Sequence, residues 1–199
     1  MKQVLIETQL FKPSKGLLSE GKMSERGNPL VEGILATCEV ENGNGRYYSE
    51  DLWKREIDKY MELVEDNRAT GELDHPESQV INLKNVSHNI KDIYWDGKNI
   101  MGTIELLPTP SGNILIALID SGITVGVSSR GMGSLEQKGD LMEVQDDFEL
   151  LCWDFVSTPS NPGSFMTLKE GKENNINQYA KANSIVTEIL CANGNCPIF

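Results

Sequence analysis

The chain predicts an α+β fold, and three stretches carry that prediction. Ser49 followed by Leu52, Trp53, Ile57, Tyr60, Met61 and Val64 describes an apolar stripe at helical spacing, with charges on the opposite face. A capped helix to about Asp66 follows from that spacing. Asp96-Gly97 lies between two β-rich runs, Leu83–Trp95 and Lys98–Leu107, and Asp-Gly in that setting signals a hairpin. Met142–Val156 holds at least one strand, with Phe148, Leu150, Cys152 and Val156 on one side and Leu151, Trp153 and Phe155 on the other. A strand apolar on both faces is buried on both.

The remaining elements follow in order. Val4–Phe11 alternates weakly and starts a strand, and Lys12–Pro29, rich in Gly, Ser, Lys and Pro, reads as a loop. Ile34, Ala36, Cys38 and Val40 give Val31–Val40 one buried face. Glu41-Asn42-Gly43-Asn44-Gly45 tolerates positive φ and makes a turn. Pro108 and Pro110 end the second hairpin strand. Ser111 then caps a short helix with Ile114, Leu115, Leu118 and Ile119 inward, and Gly122 stops it. Ile123–Ser129 is a further strand. Beyond Pro162 the chain turns polar, and Lys169–Asn183 reads as a linker or helix outside the core. The expected division is a domain over residues 1–170 and a polar tail over 171–199.

The 199 residues, 39% hydrophobic and 24% charged, suit one soluble domain with a real core. A net charge of −12 argues against nucleic-acid binding, which needs clustered Lys and Arg. No apolar stretch could span a bilayer, and the N-terminus lacks the charged-then-apolar pattern of a signal peptide. Cys38 and Cys152 sit in apolar alternation and read as small buried residues. Cys191 and Cys196 have no third or fourth ligand nearby for zinc. A reducing cytoplasm, or something assembled there, is the expected setting.

Chemistry concentrates in two motifs. Gly71-Glu72-Leu73-Asp74-His75-Pro76 sets one of two histidines against a proline, and Gly126-Val127-Ser128-Ser129-Arg130-Gly131 sets adjacent serines in a glycine-flanked run. A group that takes a proton and a hydroxyl that gives one are the minimum for nucleophilic acyl transfer. Pro76 pushes His75 toward an extended backbone, where successive side chains point apart, so Asp74 is not automatically its partner. The same alternation lets at most one of Ser128 and Ser129 meet His75. The plainer readings are a surface or capping histidine and a harmless pair of strand-end serines. Asp154 interrupts a strand with apolar neighbours on both faces, where a carboxylate is costly unless paired. It is an ion-pair partner of an arginine, a strand-end acid in solvent, or the acid that orients the histidine. Arg130 is an ion-pair residue or, through its backbone N–H and that of Gly131, an oxyanion donor. His88 reads as a packed hairpin histidine, and Cys152 falls in a strand too buried for a cysteine nucleophile.

At these residues the chain resembles the prohead core protein proteases of tailed bacteriophages of the T4-like type. The matching stretches are Val31–Val40 with Asn44-Gly45-Arg46-Tyr47-Tyr48, Gly-Glu-Leu-Asp-His-Pro at 71–76 and the hairpin around Trp95. Gly-Val-Ser-Ser-Arg-Gly at 126–131 with Gly133-Ser134-Leu135, and the region from Asp154 to Pro159-Ser160, complete a span of roughly Gln3–Glu170. The resemblance implies a serine endopeptidase distantly similar to herpesvirus maturation proteases of the assemblin type, built as a mostly antiparallel β-barrel surrounded by helices. By motif position it implies Ser128 as nucleophile, His75 as catalytic histidine and Asp154 as the acidic third member, with no metal or organic cofactor.

Implied substrates are scaffold or prohead core proteins, the major capsid protein and the protease itself, cut after glutamate with an apolar residue two positions earlier. The implied place is the assembling prohead in the host cytoplasm, with self-association into a homo-oligomer and neither nucleic acid nor membrane as partner. Val186-Thr187-Glu188 and Leu18-Ser19-Glu20 fit the cleavage pattern, so Glu188 and Glu20 are expected self-cleavage sites. Leu63-Val64-Glu65 fits as well but lies in the first helix, and only extended segments enter a protease cleft. The competing reading is a catalytically inactive core or scaffold protein that keeps the fold for assembly contacts.

Overall fold

The computed structural model describes residues 2–8, 22–76, 78–139, 141–157 and 166–168. In chain order they form β1 (Gln3–Thr8), β2 (Leu30–Thr37), β3 (Arg46–Tyr47), α1 (Glu50–Glu65), β4 (Thr70–Glu72), β5 (Val86–Asp96) and β6 (Asn99–Leu106). There follow α2 (Pro110–Asp120), β7 (Gly126–Gly133), β8 (Leu135–Lys138), β9 (Leu141–Val144), β10 (Glu149–Val156) and β11 (Met166–Leu168). The strands make three sheets, ordered β1-β7-β10, β11-β2-β6-β5-β4 and β3-β9-β8. Every pairing is antiparallel except that of β3 with β9.

The protein is therefore mostly β, with two helices among the described residues. That corrects the expected barrel surrounded by helices: among the described residues no ladder closes the strands on themselves. Register shifts at Ile34/Ala36, Gly71/Glu72, Ile90/Asp92 and Leu150/Cys152 bend the strands without joining the sheets into a ring. A single-residue parallel bridge, Leu73 to Phe155, ties the five-stranded sheet to β10.

The helix and hairpin form where the local chemistry requires. Ser49 Oγ accepts from the Leu52 N–H, satisfying one of the free donors at the start of α1. Leu52, Trp53, Ile57, Tyr60 and Val64 are buried beneath it. Trp53 stacks on Tyr48 and Trp153 at centroid distances of 5.3 and 6.2 Å, and Tyr60 meets Trp153 edge-on at 4.8 Å. Such ring pairs add about 0.5–1.5 kcal/mol each beyond the area they bury, and they clamp β10 beneath α1. Glu56 shares the buried face, its carboxylate held by the Leu150 N–H at 3.0 Å and by Lys59 at 2.8 Å. Gly97, at φ +59°, turns β5 into β6.

Several expectations are adjusted. The second strand ends at Thr37 rather than running to Val40, and the 9–11 end of the expected first strand lies outside the described residues. Thr109, not Ser111, caps α2: its Oγ1 accepts from the Gly112 N–H at 3.0 Å, with Pro110 in the first turn where a missing N–H costs nothing. Leu115 and Ile119 are buried while Ile114, expected inward, is exposed. The strand expected over Ile123–Ser129 runs over Gly126–Gly133. In β10, Leu150 opposes Gly131 and Cys152 opposes Arg130, so the extra residue Leu151 reverses the alternation. Phe148 and Leu150 thus pack with Trp153 and Phe155, and not with Cys152 as the pattern suggested. Cys38 and Cys152 are buried free thiols. The polar tail, the 170/171 division, Cys191, Cys196, Glu20 and Glu188 lie outside the described residues. No helix among the described residues is long and apolar enough to cross a membrane.

Candidate active site

The middle strand β7 fixes the layout. Directly opposed residues of an antiparallel pair carry their side chains on the same face. Ser129 opposes Glu7 and Trp153, which puts it on the core side. Ser128 opposes Asp154, so these two share the other face with Arg130 and Cys152. Both serines are buried.

His75 reaches that face from the five-stranded sheet. Beyond β4, Leu73 bridges to Phe155 and the Asp74 N–H donates to the Phe155 carbonyl at 2.8 Å. Asp74 itself adopts φ +73°, a left-handed turn that an aspartate tolerates better than most residues. The turn delivers His75 Nδ1 to 2.8 Å from Asp154 Oδ2. Facing a carboxylate, Nδ1 carries the proton, which leaves the lone pair of the neutral ring on Nε2. Nε2 is buried and has no hydrogen-bond partner among the described residues. The Ser128 hydroxyl donates to the main-chain carbonyl of Glu7.

The Asp154 carboxylate is densely supported. Burial alone would raise its pKa, but His75, the Glu72 N–H at 2.8 Å from Oδ1 and the Arg130 charge hold it below the ordinary aspartate value. Arg130 Nε lies 2.9 Å from Asp154 Oδ2. Arg130 also reaches Glu72 Oε1 at 3.1 Å and donates to the Ser78 carbonyl at 2.7 Å. Cys152 donates to Asp154 Oδ1 at 3.4 Å, and burial with the neighbouring Asp154 charge pushes its thiol far above the normal range. The thiol is thus a neutral donor rather than a thiolate.

The other sequence candidates fall elsewhere. Arg130 and Gly131, the expected oxyanion donors, lie in β7 between β1 and β10, opposite the Leu150/Cys152 bulge. It is the Arg130 side chain that meets the candidate residues. His88 is wholly buried in β5; its Nε2 donates to the Trp153 carbonyl at 3.0 Å, Ser87 Oγ lies 2.9 Å from Nδ1, and its ring meets Phe155 edge-on. Glu65 is exposed at the end of α1. Among the described residues no three His, Cys, Asp or Glu side chains gather as a metal site would need.

Two acids escaped the sequence reading. The motif around His75 gives Glu72 no role of its own, and Glu7 lies in β1 outside any motif. Glu7 accepts from Asn42 at 2.5 Å, Tyr48 at 2.7 Å, Arg46 at 2.8 Å and Asn44 at 2.9 Å, and so pins the end of β1 to the 42–48 turn. The signal was the one that flagged Asp154, a carboxylate amid apolar strand residues.

Comparison with known proteins agrees with this architecture. The family described as prohead core protein serine protease matches residues 7–176. The prohead core protein protease of Enterobacteria phage T4 is 33% identical over 145 residues, covering 70% of this chain and 68% of that protein. The solved structure of the bacteriophage T4 capsid assembly protease superposes with a TM-score of 0.72 at 28% identity, over 79% of this chain and 99% of the other. A match across most of the chain, at this identity and with this likeness of fold, makes the protein a member of the prohead core protein serine protease family.

Proposed function

We propose that this protein is a serine endopeptidase of phage prohead maturation in which Ser128 attacks the scissile carbonyl, His75 acts as base and then acid, and Asp154 orients His75. The observation that carries the reading is the 2.8 Å contact of His75 Nδ1 with Asp154, together with a register that sets Ser128, not Ser129, on the Asp154 side of the sheet. In the cycle the Ser128 hydroxyl leaves the Glu7 carbonyl, attacks the scissile carbonyl and gives its proton to His75 Nε2. Asp154 then stabilises the imidazolium that forms, and the ring returns that proton to the leaving amine. No step needs a metal or organic cofactor.

The T4 relatives are named for the prohead core and for capsid assembly. By that likeness the substrates here are core or scaffold proteins and the major capsid protein, cut after glutamate in Leu/Ile/Val-x-Glu sequences within the assembling prohead. Glu188 and Glu20 are the candidate self-cleavage sites, in a chain divided near residue 170 into protease and tail. An intact C-terminus in the mass spectrum of an active preparation removes the Glu188 assignment.

Hydrolysis of a Leu-x-Glu peptide by the purified protein tests the core of the proposal. Ser128→Ala is expected to abolish turnover, leaving at most the residual rate that binding alone provides, while Ser129→Ala retains it. The reverse pattern would overturn the nucleophile assignment. A wild-type chain that fails to cleave any such peptide would favour the inactive scaffold.

A further inference from the structure

Asp154 does not stand alone behind His75. Arg130 Nε approaches the same Oδ2 that His75 meets, at 2.9 Å, while Nη2 spans Asp154 Oδ1 at 3.3 Å and Glu72 Oε1 at 3.1 Å. Glu72 accepts further from the Asn82 N–H at 2.8 Å and from Asn85 at 3.2 Å. Arg130, Glu72 and Asp154 are each at most 1% exposed. Two buried carboxylates and one guanidinium leave one net negative charge facing the His75 ring, a field that favours the imidazolium formed when Nε2 takes a proton. An unbalanced charge at this depth is expensive, so the total governs the site more than any single contact.

We propose that Arg130 and Glu72 are positioning residues of the protease, holding the Asp154 carboxylate and fixing at one the negative charge that faces His75. This rests on the triad reading and extends it to a side-chain pair outside the triad. The charged or titratable groups around the ring are Asp154 and Cys152 from β10, Arg130 from β7, Glu72 from β4, His88 from β5 and the exposed Asp74 beside it. Cys152 and His88 are neutral because burial disfavours their charged forms, and water screens Asp74. Asp154, Glu72 and Arg130 therefore set the field. Arg130 also anchors the segment beyond His75 through the Ser78 carbonyl, so the guanidinium fixes the site on both sides of the ring.

The test follows kcat/KM against pH for a Leu-x-Glu peptide with the full chain, beside an NMR pH titration of the His75 ring. Glu72→Gln keeps an acceptor for Arg130 but deletes one negative charge. The acid limb is expected to move to lower pH by on the order of one unit. Glu72→Gln with Arg130→Met restores the count of one, and the limb should return toward wild type. Arg130→Lys keeps the charge without the planar fork, so the limb should stay while kcat falls by about tenfold or more at unchanged KM.

A Glu72→Gln limb within about 0.2 of wild type, or a double variant that stays with the single one, overturns the proposal. If Glu72→Gln does not fold, Arg130→Lys decides, and an unchanged kcat overturns it. Ser128→Ala is run in parallel: if it is inactive while the limb is unmoved, the charge pair falls and the triad stands. If it stays active, the triad falls, and the ring titration still tests the charge balance.

Discussion

Acid is expected to cost this protein stability through His88. The ring is fully buried, its Nε2–H committed to the Trp153 carbonyl and its Nδ1 to the Ser87 hydroxyl. Burial lowers its pKa to about 4, and the nearby Asp154 charge and the Trp153 carbonyl offset only part of that. An unfolded histidine titrates near 6.5, so as pH falls the unfolded chain takes the proton first. The stability contributed by the neutral ring is whole above 6.5 and drains away as pH drops toward about 4. That gap corresponds to about 3 kcal/mol.

Urea unfolding followed by tryptophan fluorescence, at pH 7.5 and pH 4.5, measures it in the wild type and in His88→Gln. The glutamine loses packing at both pH values but cannot take a proton. Groups common to both proteins cancel in the comparison. The deficit of the variant relative to wild type should therefore shrink by about 2–3 kcal/mol on acidification. Parallel losses in the two proteins would refute the linkage.

Two further outcomes follow from close packing and charge. A Cβ on Gly71 would sit 1.9 Å from the Trp153 carbonyl oxygen and 2.5 Å from the His88 ring, and main chain on one side cannot give way. Gly71→Ala should cost about 3 kcal/mol or more and abolish activity with it, and a melting temperature within a few degrees of wild type would contradict this. Glu7→Gln turns an amide NH2 toward a cluster of donors and leaves Arg46 without its carboxylate, for a loss of about 2–3 kcal/mol by urea unfolding.

What the residues revealed beforehand was local or two-fold periodic. The Ser49 cap, the Leu52–Val64 stripe and the Asp96-Gly97 turn each depend on neighbours within a few positions, so they were legible. The alternation that sets Ser128 and Ser129 on opposite faces was equally readable, but which one shares the face of Asp154 was a matter of register with β10, more than twenty residues away. The faces of β10 depart from simple alternation because of a bulge at Leu151, which has no composition signature. Pro110 opens α2 rather than only ending the strand before it, since proline begins helices as readily as it ends strands. The closed barrel was implied by likeness alone, and strand order is set by contacts that no local pattern encodes. Arg130 and Asp154 were each legible as ion-pair residues, but Glu72 hid for a similar reason: a charge pair assembled across two sheets leaves no spacing in the chain.

His75 and Asp154 arrive on different sheets of the protein. His75 trails the short end strand of one, Asp154 rides on the outer strand of the other, and their junction is stitched by the Leu73–Phe155 bridge and the Asp74–Phe155 hydrogen bond. Shear of about one ångström along that seam would uncouple the pair and cut the rate by roughly a hundredfold, while leaving both hydrophobic layers packed. On the proposed triad, turnover would gauge the docking of two sheets, and a chain could fall silent long before it melts.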